Sequence, residues 1–224
     1  MEQGEFLTLI GPSGCGKSTI LNMIGGLLRP TTGEVFVRSQ KVTRPIPTDV
    51  AFMFQESTLY PWRDVLHNTT FGLEIARLPM SECEDRAKKY IDMVGLSGCE
   101  KNRVSDLSSG MKQRVSLARA LVLETPILLL DEPFGALDEQ TRMVLGEEVL
   151  HIWQETGKTI VLVTHSLSEA AYLSDRVMVL SPTPSQIRKV IEVKLPRPRS
   201  TESAELSNIH LEIWDLLSGM GVKV

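Results

Sequence analysis

The sequence predicts an α/β protein with a mostly parallel sheet, and two observations carry this prediction. Short apolar runs alternate with longer amphipathic stretches, which is the pattern of chains in which strands and helices alternate. Four of the runs are solidly apolar, as expected for strands that helices cover on both faces. The predicted strands cover residues 6–10, 35–37, 50–54, 127–130, 160–163 and 177–180.

Amphipathic stretches between these strands predict the helices. Ser81 with Glu84, and Ser166 with Glu169, have the spacing of capping boxes and so mark two helix starts. The predicted helices run from residue 17 or 18 to about 28, from 81 to about 95, from behind 110 to before 126, from behind 138 to 157, and over a short stretch behind 166.

The 224 residues predict one domain with a helical insertion. Its α/β core spans about 1–55 and 122–195. Residues 56–121, about 65 without a strong strand pattern, form the insertion. After a proline break, a tail helix is expected over about 200–217, on the surface of the domain.

Composition excludes several classes of function. Lys and Arg number 24 against 28 Asp and Glu, and the resulting net charge of −4 argues against nucleic acid as the main ligand. Cys15, Cys83 and Cys99 are scattered, which is typical of reduced thiols in a cytosolic protein. The longest unbroken apolar run, at residues 50–54, has five residues, whereas a membrane span needs roughly 20. The acidic N-terminus does not have a secretory signal pattern.

A phosphate-binding loop is the strongest motif of the sequence. It follows a predicted strand and opens a predicted helix, the context that the pattern G-x-x-x-x-G-K-[ST] requires. In such a loop Lys17 reaches the β- and γ-phosphates and Ser18 binds Mg²⁺. Cys15 is interpreted as a small filler, or as a thiol that faces the incoming nucleotide. The predicted nucleotide-binding residues are Gly11, Pro12, Ser13, Gly14, Cys15, Gly16, Lys17, Ser18 and Thr19.

A second motif places two acids after the apolar run at 127–130. In open α/β sheets ligands bind at the carboxyl ends of the strands, where Asp131 is expected. Asp131 is suited to Mg²⁺, directly or through water, and Glu132 is placed to polarise an attacking water. Both motifs together predict a phosphate-loop NTPase, a class that includes kinases, GTPases and helicases.

The segment Leu-Ser-Ser-Gly-Met-Lys-Gln-Arg at 107–114 narrows this choice. It resembles the signature sequence of the ATP-binding subunits of ABC transporters, usually written LSGGQ. The other motifs of that family follow in order: Gln55 after a strand, Gly-Ala-Leu-Asp at 135–138, and His165 after the run at 160–164. The resemblance covers nearly the whole chain. It implies a RecA-like core with a helical signature subdomain.

The resemblance also implies a mechanism. Two subunits close head to tail around two ATP molecules, and each ATP on one phosphate loop is capped by Ser108 and Gly110 of the other subunit. In this mechanism Glu132 is implied to be the general base and His165 to contact the γ-phosphate. Gln55 is implied to couple Mg²⁺ to the membrane partner, and Asp138 to help assemble the opposing half. The implied Mg²⁺ ligands are Ser18, Gln55 and Asp131.

Two departures from the family pattern affect this prediction. Ser109 replaces a glycine, which would cost roughly 1 kcal/mol if the position needs a positive φ. We therefore expect slower dimer closure. The family also has an aromatic residue 20 to 30 positions before the loop to stack on adenine. Only ten residues precede Gly11, so the N-terminal antiparallel β part is expected to be incomplete and ATP affinity to be reduced.

Softer motifs at 61–63, 71–74, 180–182 and 195–199 resemble the nitrate, sulfonate and taurine importers. That resemblance implies membrane permease subunits, a periplasmic binding protein, and a peripheral position on the cytoplasmic face of the inner membrane. The segment Tyr60-Pro-Trp62 is either a packed aromatic turn or the face that docks the permease.

Two alternatives stay open on the sequence alone. One is a soluble ABC ATPase of translation or DNA repair, although such proteins usually join two ATPase halves or carry coiled-coil or zinc insertions that this sequence does not have. The other is a fragment with impaired ATP binding. ATPase activity with and without a membrane partner discriminates them.

Overall fold

The computed structural model describes residues 1–221 of the chain. Within these residues the strands are short, as is usual for an α/β protein. In chain order they are β1 (Phe6–Ile10), β2 (Phe36–Val37), β3 (Gln40–Lys41), β4 (Val50–Met53), β5 (Ile127–Asp131), β6 (Thr159–Val163), β7 (Arg176–Leu180) and β8 (Ile187–Glu192).

The helices of the same residues separate most of these strands. A single 3₁₀ turn at Val104–Asp106 precedes α4. In chain order the helices are α1 (Lys17–Ile24), α2 (Val65–Ile75), α3 (Met80–Met93), α4 (Ser109–Leu121), α5 (Glu139–Thr156), α6 (Leu167–Leu173) and α7 (Ala204–Ser218).

The chain forms two compact units, the first from Met1–Ile46 and the described part of Thr156–Val224. Here the strand order is β6-β1-β7-β8, and only β8 is antiparallel to its neighbour. Leu9 is level with Val163, so β1 and β6 end at the same edge. The loops that follow these two strands therefore start side by side.

The second unit, Pro47–Glu155, contains the parallel pair β4 and β5 and a group of packed helices. Helix α2 packs on both α3 and α4, and α4 also packs on β4. Met53 is level with Leu130, so β4 and β5 also end together. The α/β class with a mostly parallel sheet is thus confirmed, while the division into a core and an insertion at 56–121 stays a prediction.

Each of the six predicted strands is present with bounds that differ by one residue or less, but β3 and β8 were missed. Arg38 and Ser39 turn the β2–β3 hairpin with φ of 47° and 66°. A two-residue turn with both φ positive normally shows itself by Asn-Gly or Asp-Gly, and Arg-Ser gives no such signal. Strand β8 has mostly exposed side chains, with only Ile191 buried, so its sequence does not form an apolar run.

Helix α2 was not predicted, and α4 begins at Ser109 and ends at Leu121 rather than running from behind 110 to before 126. Two further differences at helix ends have a visible cause. Helix α1 ends at Ile24 and not near residue 28, since Gly26 adopts a φ of 73° against the Arg44 carbonyl. Helix α3 begins behind Pro79, whose N-cap position has no side-chain hydrogen bond, so the capping box predicted at residue 81 does not form. Around Ser166 the predicted cap is present, because its hydroxyl accepts a hydrogen bond from the Glu169 amide at 3.2 Å.

The tail helix α7 is an integral part of the first unit. Its Leu206, Ile213 and Leu217 are buried in one apolar cluster with side chains of α6, β7 and β8. The tail was expected to form a surface helix, and the structure shows that one face of it belongs to the core. Burial of such side chains stabilises by about 1.5–3 kcal/mol each.

Arg199 anchors the segment that leads to α7. Its side chain is buried, and the guanidinium donates hydrogen bonds of 2.7–3.4 Å to five backbone carbonyls. Burial lowers the pKa of this guanidinium to about 10. The bonded carbonyls belong to Ala171, Tyr172, Ser174, Val193 and Leu195.

Candidate functional site

The phosphate loop of the first unit has the predicted strand–loop–helix form. It covers residues 11–16 between β1 and α1. Gly16 is the N-cap of α1 with φ of 100°, and no side chain caps the helix there. Since a helix N-terminus without a side-chain cap directs N–H groups and a partial positive charge outward, it is suited to an anion. A Cβ at Gly11 would lie 2.9 Å from the Leu180 carbonyl, so the close approach requires glycine.

Lys17 places a full positive charge in this loop. The side chain is 5% exposed, and its Nζ donates hydrogen bonds to the carbonyls of Gly11 at 2.8 Å and Pro12 at 3.0 Å. A buried ammonium needs such partners, because an unpaired charge away from water is strongly destabilising. The ammonium is therefore held against the loop, where the sequence predicts the β- and γ-phosphates.

Cys15 lies inside the loop with its side chain buried. Its Sγ is 4.0 Å from Lys17 Nζ and would be 3.0 Å from a Cβ at Gly11. That this thiol faces an incoming nucleotide stays a prediction, and its burial does not support it. The geometry favours the other interpretation, a small side chain that fills space beneath the loop.

His165 follows β6 at the edge where β1 ends. Its side chain is exposed, and hydrogen bonds hold the two neighbouring residues, Thr164 and Ser166, in place. The Thr164 hydroxyl donates to the Glu169 carboxylate and accepts from the Ser166 amide at 3.0 Å. The backbone on both sides of His165 is thus held at the edge from which the phosphate loop also starts.

In the second unit, Glu132 and Gln55 come together as the strand register requires. Strand β5 ends at Asp131, which is 4% exposed, and β4 ends at Met53, level with the preceding residue Leu130. Gln55 and Glu132 each lie two residues beyond the paired positions Met53 and Leu130. Their side chains meet, and Gln55 Nε2 donates to Glu132 Oε2 at 2.9 Å.

Glu132 has an unusual backbone conformation. Its φ is 49°, in the left-handed region. This costs a non-glycine residue about 1–2 kcal/mol and persists only where the surroundings enforce it. Strained residues of this kind cluster at functional sites, which agrees with the prediction that Glu132 is the general base.

Gln113, which was not predicted as a site residue, helps to hold Glu132 in this conformation. Its Nε2 donates to the Glu132 carbonyl and its Oε1 accepts from the Ala136 amide, both at 2.7 Å. One signal was available, since Gln113 falls on the face of α4 that also buries Leu117 and Ala120. A glutamine at helical spacing on an apolar face requires polar partners inside the protein.

The signature segment opens α4. Ser108 is the N-cap, and its hydroxyl accepts from the Met111 amide at 3.3 Å. Ser109 is the first helical residue and is absent from the described residues with positive φ, so the strain considered for it does not arise. A Cβ at Gly110 would lie 3.3 Å from both the Ala136 carbonyl and Leu137 Cδ2, which explains a glycine there.

Asp138 caps the N-terminus of α5. It accepts hydrogen bonds from the Thr141 amide at 2.9 Å and the Thr141 hydroxyl at 2.7 Å. These bonds hold the pKa of the Asp138 carboxyl below its usual value. Its exposed side chain thus stays ionised beside the end of the loop that starts at Glu132.

An aromatic turn follows Gln55 in the chain. Tyr60 packs between Trp62 and Phe71, with ring centroids 5.4 and 4.5 Å apart. Trp62 is nevertheless 77% exposed. Arg119 of α4 fixes Thr58, two residues before Tyr60, because it donates hydrogen bonds to the carbonyl and the hydroxyl of Thr58 at 2.7 and 2.8 Å. The turn is therefore packed on one side and presents an indole to its surroundings.

An ion pair also stabilises the same turn. Arg63 donates to both carboxylate oxygens of Glu74 at 2.8 and 2.9 Å and lies over the Phe71 ring. The hydrogen bond from Arg63 is the main reason that the pKa of Glu74 is lowered. Arg63 and Glu74 belong to the two motifs that resemble the importer branch, at 61–63 and 71–74. Their ion pair connects the aromatic turn to α2.

The residues predicted to bind Mg²⁺ are chemically suited to it. This ion prefers oxygen ligands in proteins. Ser18 offers a hydroxyl, Asp131 a buried carboxylate, and Gln55 an amide oxygen on the side of the group that does not bond Glu132. Residues 1–221 contain no group of three or more His, Cys, Asp and Glu side chains arranged for a metal. No helix among them is both long and apolar enough to cross a bilayer.

Two sets of features define a phosphate-loop nucleoside triphosphatase: in the first unit a glycine loop between strand and helix with a buried lysine, and in the second unit the carboxylate of Asp131 at the end of a strand. The ABC transporter family pattern matches residues 1–135. The chain belongs to the ABC transporter family, as an ATP-binding ATPase subunit.

Relatives and solved structures agree with this membership. An uncharacterised ABC transporter ATP-binding protein of Methanocaldococcus jannaschii is 48% identical over 96% of this chain and 80% of its own. The aliphatic sulfonates import ATP-binding protein SsuB of Bacillus cereus is 44% identical over 95% and 83%. The nitrate import ATP-binding protein NrtD of Synechococcus elongatus is 42% identical over 91% and 75%.

Among solved structures, the dimeric ATP-binding cassette MJ0796, bound to ADP and Pi after hydrolysis, has a TM-score of 0.81. It is 31% identical, and the match covers 88% of both chains. The α/β fold derived above is therefore the fold of an ABC ATPase cassette.

Proposed function

We propose that this chain binds and hydrolyses ATP for a bacterial importer of a small anion such as a sulfonate, nitrate or taurine. The observation that carries the ATPase part is Lys17, a buried ammonium held inside an anion-binding loop. The import part is supported by relatives named for sulfonate and nitrate import. The substrate itself is selected by other subunits.

Nucleotide binding is assigned to residues 11–19. The N–H groups of the loop and of α1 face the phosphates, and Lys17 balances the charge of the β- and γ-phosphates. Ser18, Asp131 and Gln55 would hold Mg²⁺, which would neutralise negative charge on the triphosphate.

Hydrolysis is assigned to Glu132 and His165. Water attacks the γ-phosphorus while Glu132 accepts its proton, and the bond to the ADP oxygen breaks. Gln55 donates to Glu132 Oε2 and so orients the carboxylate that takes the proton. His165 binds the γ-phosphate and keeps the water aligned.

A second copy of the chain completes each site. Ser108 and Gly110 of one subunit cap the ATP on the loop of the other, and Asp138 stabilises the opposing half. Support comes from the dimeric arrangement of the similar cassette. Because both halves bind the γ-phosphate, hydrolysis removes the group that holds them together.

The remaining partners are permease subunits in the membrane and a periplasmic binding protein that delivers substrate to them. The chain is placed peripherally at the cytoplasmic face of the inner membrane. Trp62 is the residue we expect at the contact with the permease, since an exposed indole is a typical interface anchor.

Replacing Lys17 tests the ATPase part. Lys17→Ala is expected to weaken ATP binding by roughly 10- to 100-fold, since a charge-assisted hydrogen bond contributes about 1.5–3 kcal/mol. Equilibrium titration with a fluorescent ATP analogue measures this. Lys101→Ala, at an exposed lysine, is the control. Unchanged affinity in the Lys17 variant would remove the basis of the proposal.

Reconstitution tests the import part. The chain is assembled with its permease in liposomes, and phosphate release is measured with sulfonates, nitrate or taurine on the binding protein. We expect stimulation by one of these loaded binding proteins. Stimulation of the isolated chain by RNA or DNA, without a response to the permease, would contradict the importer assignment.

A further inference from the structure

Gln113 binds both ends of the turn at residues 132–136, which begins with Glu132 and ends with Ala136. This side chain is 6% exposed and lies on α4, five residues behind Ser108. We propose that Gln113 is a positioning residue for ATP hydrolysis: it fixes the backbone from which the Glu132 carboxylate is presented. The proposal rests on the function proposed for Glu132 above.

The primary amide of Gln113 has the two functions that this position requires. Glu132 offers a carbonyl acceptor and Ala136 an N–H donor, and only a side chain with a donor and an acceptor satisfies both. Both bonds are 2.7 Å, whereas the bond within the turn, from the Gly135 amide to the Glu132 carbonyl, is 3.3 Å. The two bonds of Gln113 are therefore shorter than this bond within the turn.

The conformation of Glu132 explains why the two hydrogen bonds of Gln113 are needed. With a φ of 49°, the residue would relax toward the right-handed region unless its neighbours prevent this. Gln113 fixes the carbonyl side of Glu132, and Gln55 contacts the carboxylate at 2.9 Å. Without Gln113, the carboxylate would still be present but would spend less time in the position from which it accepts a proton.

Two substitutions separate positioning from simple packing. Gln113→Met keeps length and volume and removes both hydrogen bonds. Gln113→Glu keeps an acceptor for Ala136 but places a carboxylate oxygen against the Glu132 carbonyl. For both we expect kcat to fall about tenfold or more, equivalent to about 1.4 kcal/mol, while KM and ATP affinity change less than twofold. Gln154→Met, at an exposed glutamine, is the matched control.

Single-turnover hydrolysis in a Glu132→Gln background shows whether Gln113 acts through Glu132. If it does, adding Gln113→Met to that variant causes no further loss, because the group that it positions is already gone. An additional tenfold loss in the double variant would overturn the proposal. So would a normal kcat for the folded single variants, or a parallel loss of ATP binding and thermal stability.

The same set of variants distinguishes a failure of the proposal for Gln113 from a failure of the function proposed for Glu132. If Glu132→Gln is inactive and Gln113→Met is normal, the function of Glu132 stands and the proposal for Gln113 fails. If Glu132→Gln hydrolyses ATP normally, the proposed base is wrong and the proposal for Gln113 fails with it. Should Gln113→Met not fold, Gln113→Glu decides by the same criteria.

Discussion

Glu132→Gln is expected to lower kcat for ATP hydrolysis by at least about 100-fold while leaving ATP affinity unchanged. The amide keeps the shape of the side chain and an acceptor for Gln55 Nε2, but it no longer accepts a proton from water. A general base typically contributes about 10²- to 10⁴-fold to rate. Phosphate release under saturating ATP measures the loss, and an ATP titration measures the affinity.

This variant should also accumulate as a dimer with ATP, because the γ-phosphate that both subunits bind is no longer removed. Size-exclusion chromatography with light scattering, with ATP and with ADP, measures the mass. Glu202→Gln, at an exposed glutamate of the tail, controls for the loss of one negative charge. Turnover close to that of the unmodified chain would refute the assignment of Glu132.

Arg199→Ala is expected to lower the free energy of unfolding by about 3 kcal/mol. Its guanidinium is the shared donor for carbonyls at the end of α6 and in the segment before α7. A buried acceptor that loses its donor costs about 1–3 kcal/mol, and here five are affected. Release of the cost of burying the cation, visible in the lowered pKa of Arg199, offsets part of this sum.

Thermal unfolding followed by circular dichroism checks this expectation. For a chain of this length, 3 kcal/mol corresponds to a fall in Tm of roughly 6–12 °C. Arg188→Ala, at an exposed arginine of β8, should shift Tm by little. Arg199→Lys should recover only part of the loss, since an ammonium has three N–H donors against five. Equal Tm values for the two alanine variants would show that the anchor is dispensable.

Much of the site was predictable because a parallel strand delivers whatever follows it to one edge. The sequence predicted that β1 opens the phosphate loop and that β5 ends in Asp131. Register then brings Gln55 to Glu132, as it brings the start of the loop close to His165. These predictions rest on apolar runs and short motifs, which are local in the sequence.

Features that depend on distant partners were not predictable. Its place on the buried face of α4 predicts that Gln113 has polar partners, but these lie 19 and 23 residues further along the chain and could not be identified from the sequence. Arg199 was seen as part of a motif of the importer branch, and its carbonyl partners lie up to 28 residues away in sequence. Ser109 appeared strained from the family pattern alone, but its place in the first turn of α4 makes a serine acceptable.

The left-handed backbone of Glu132 means that stability and activity are opposed at this residue. Glycine would adopt that conformation without the penalty, so the fold alone would favour replacing the carboxylate. A laboratory selection for heat resistance that does not also demand turnover would therefore enrich robust but inactive cassettes. Engineering a more durable form of this chain should leave residue 132 fixed and seek its gains elsewhere.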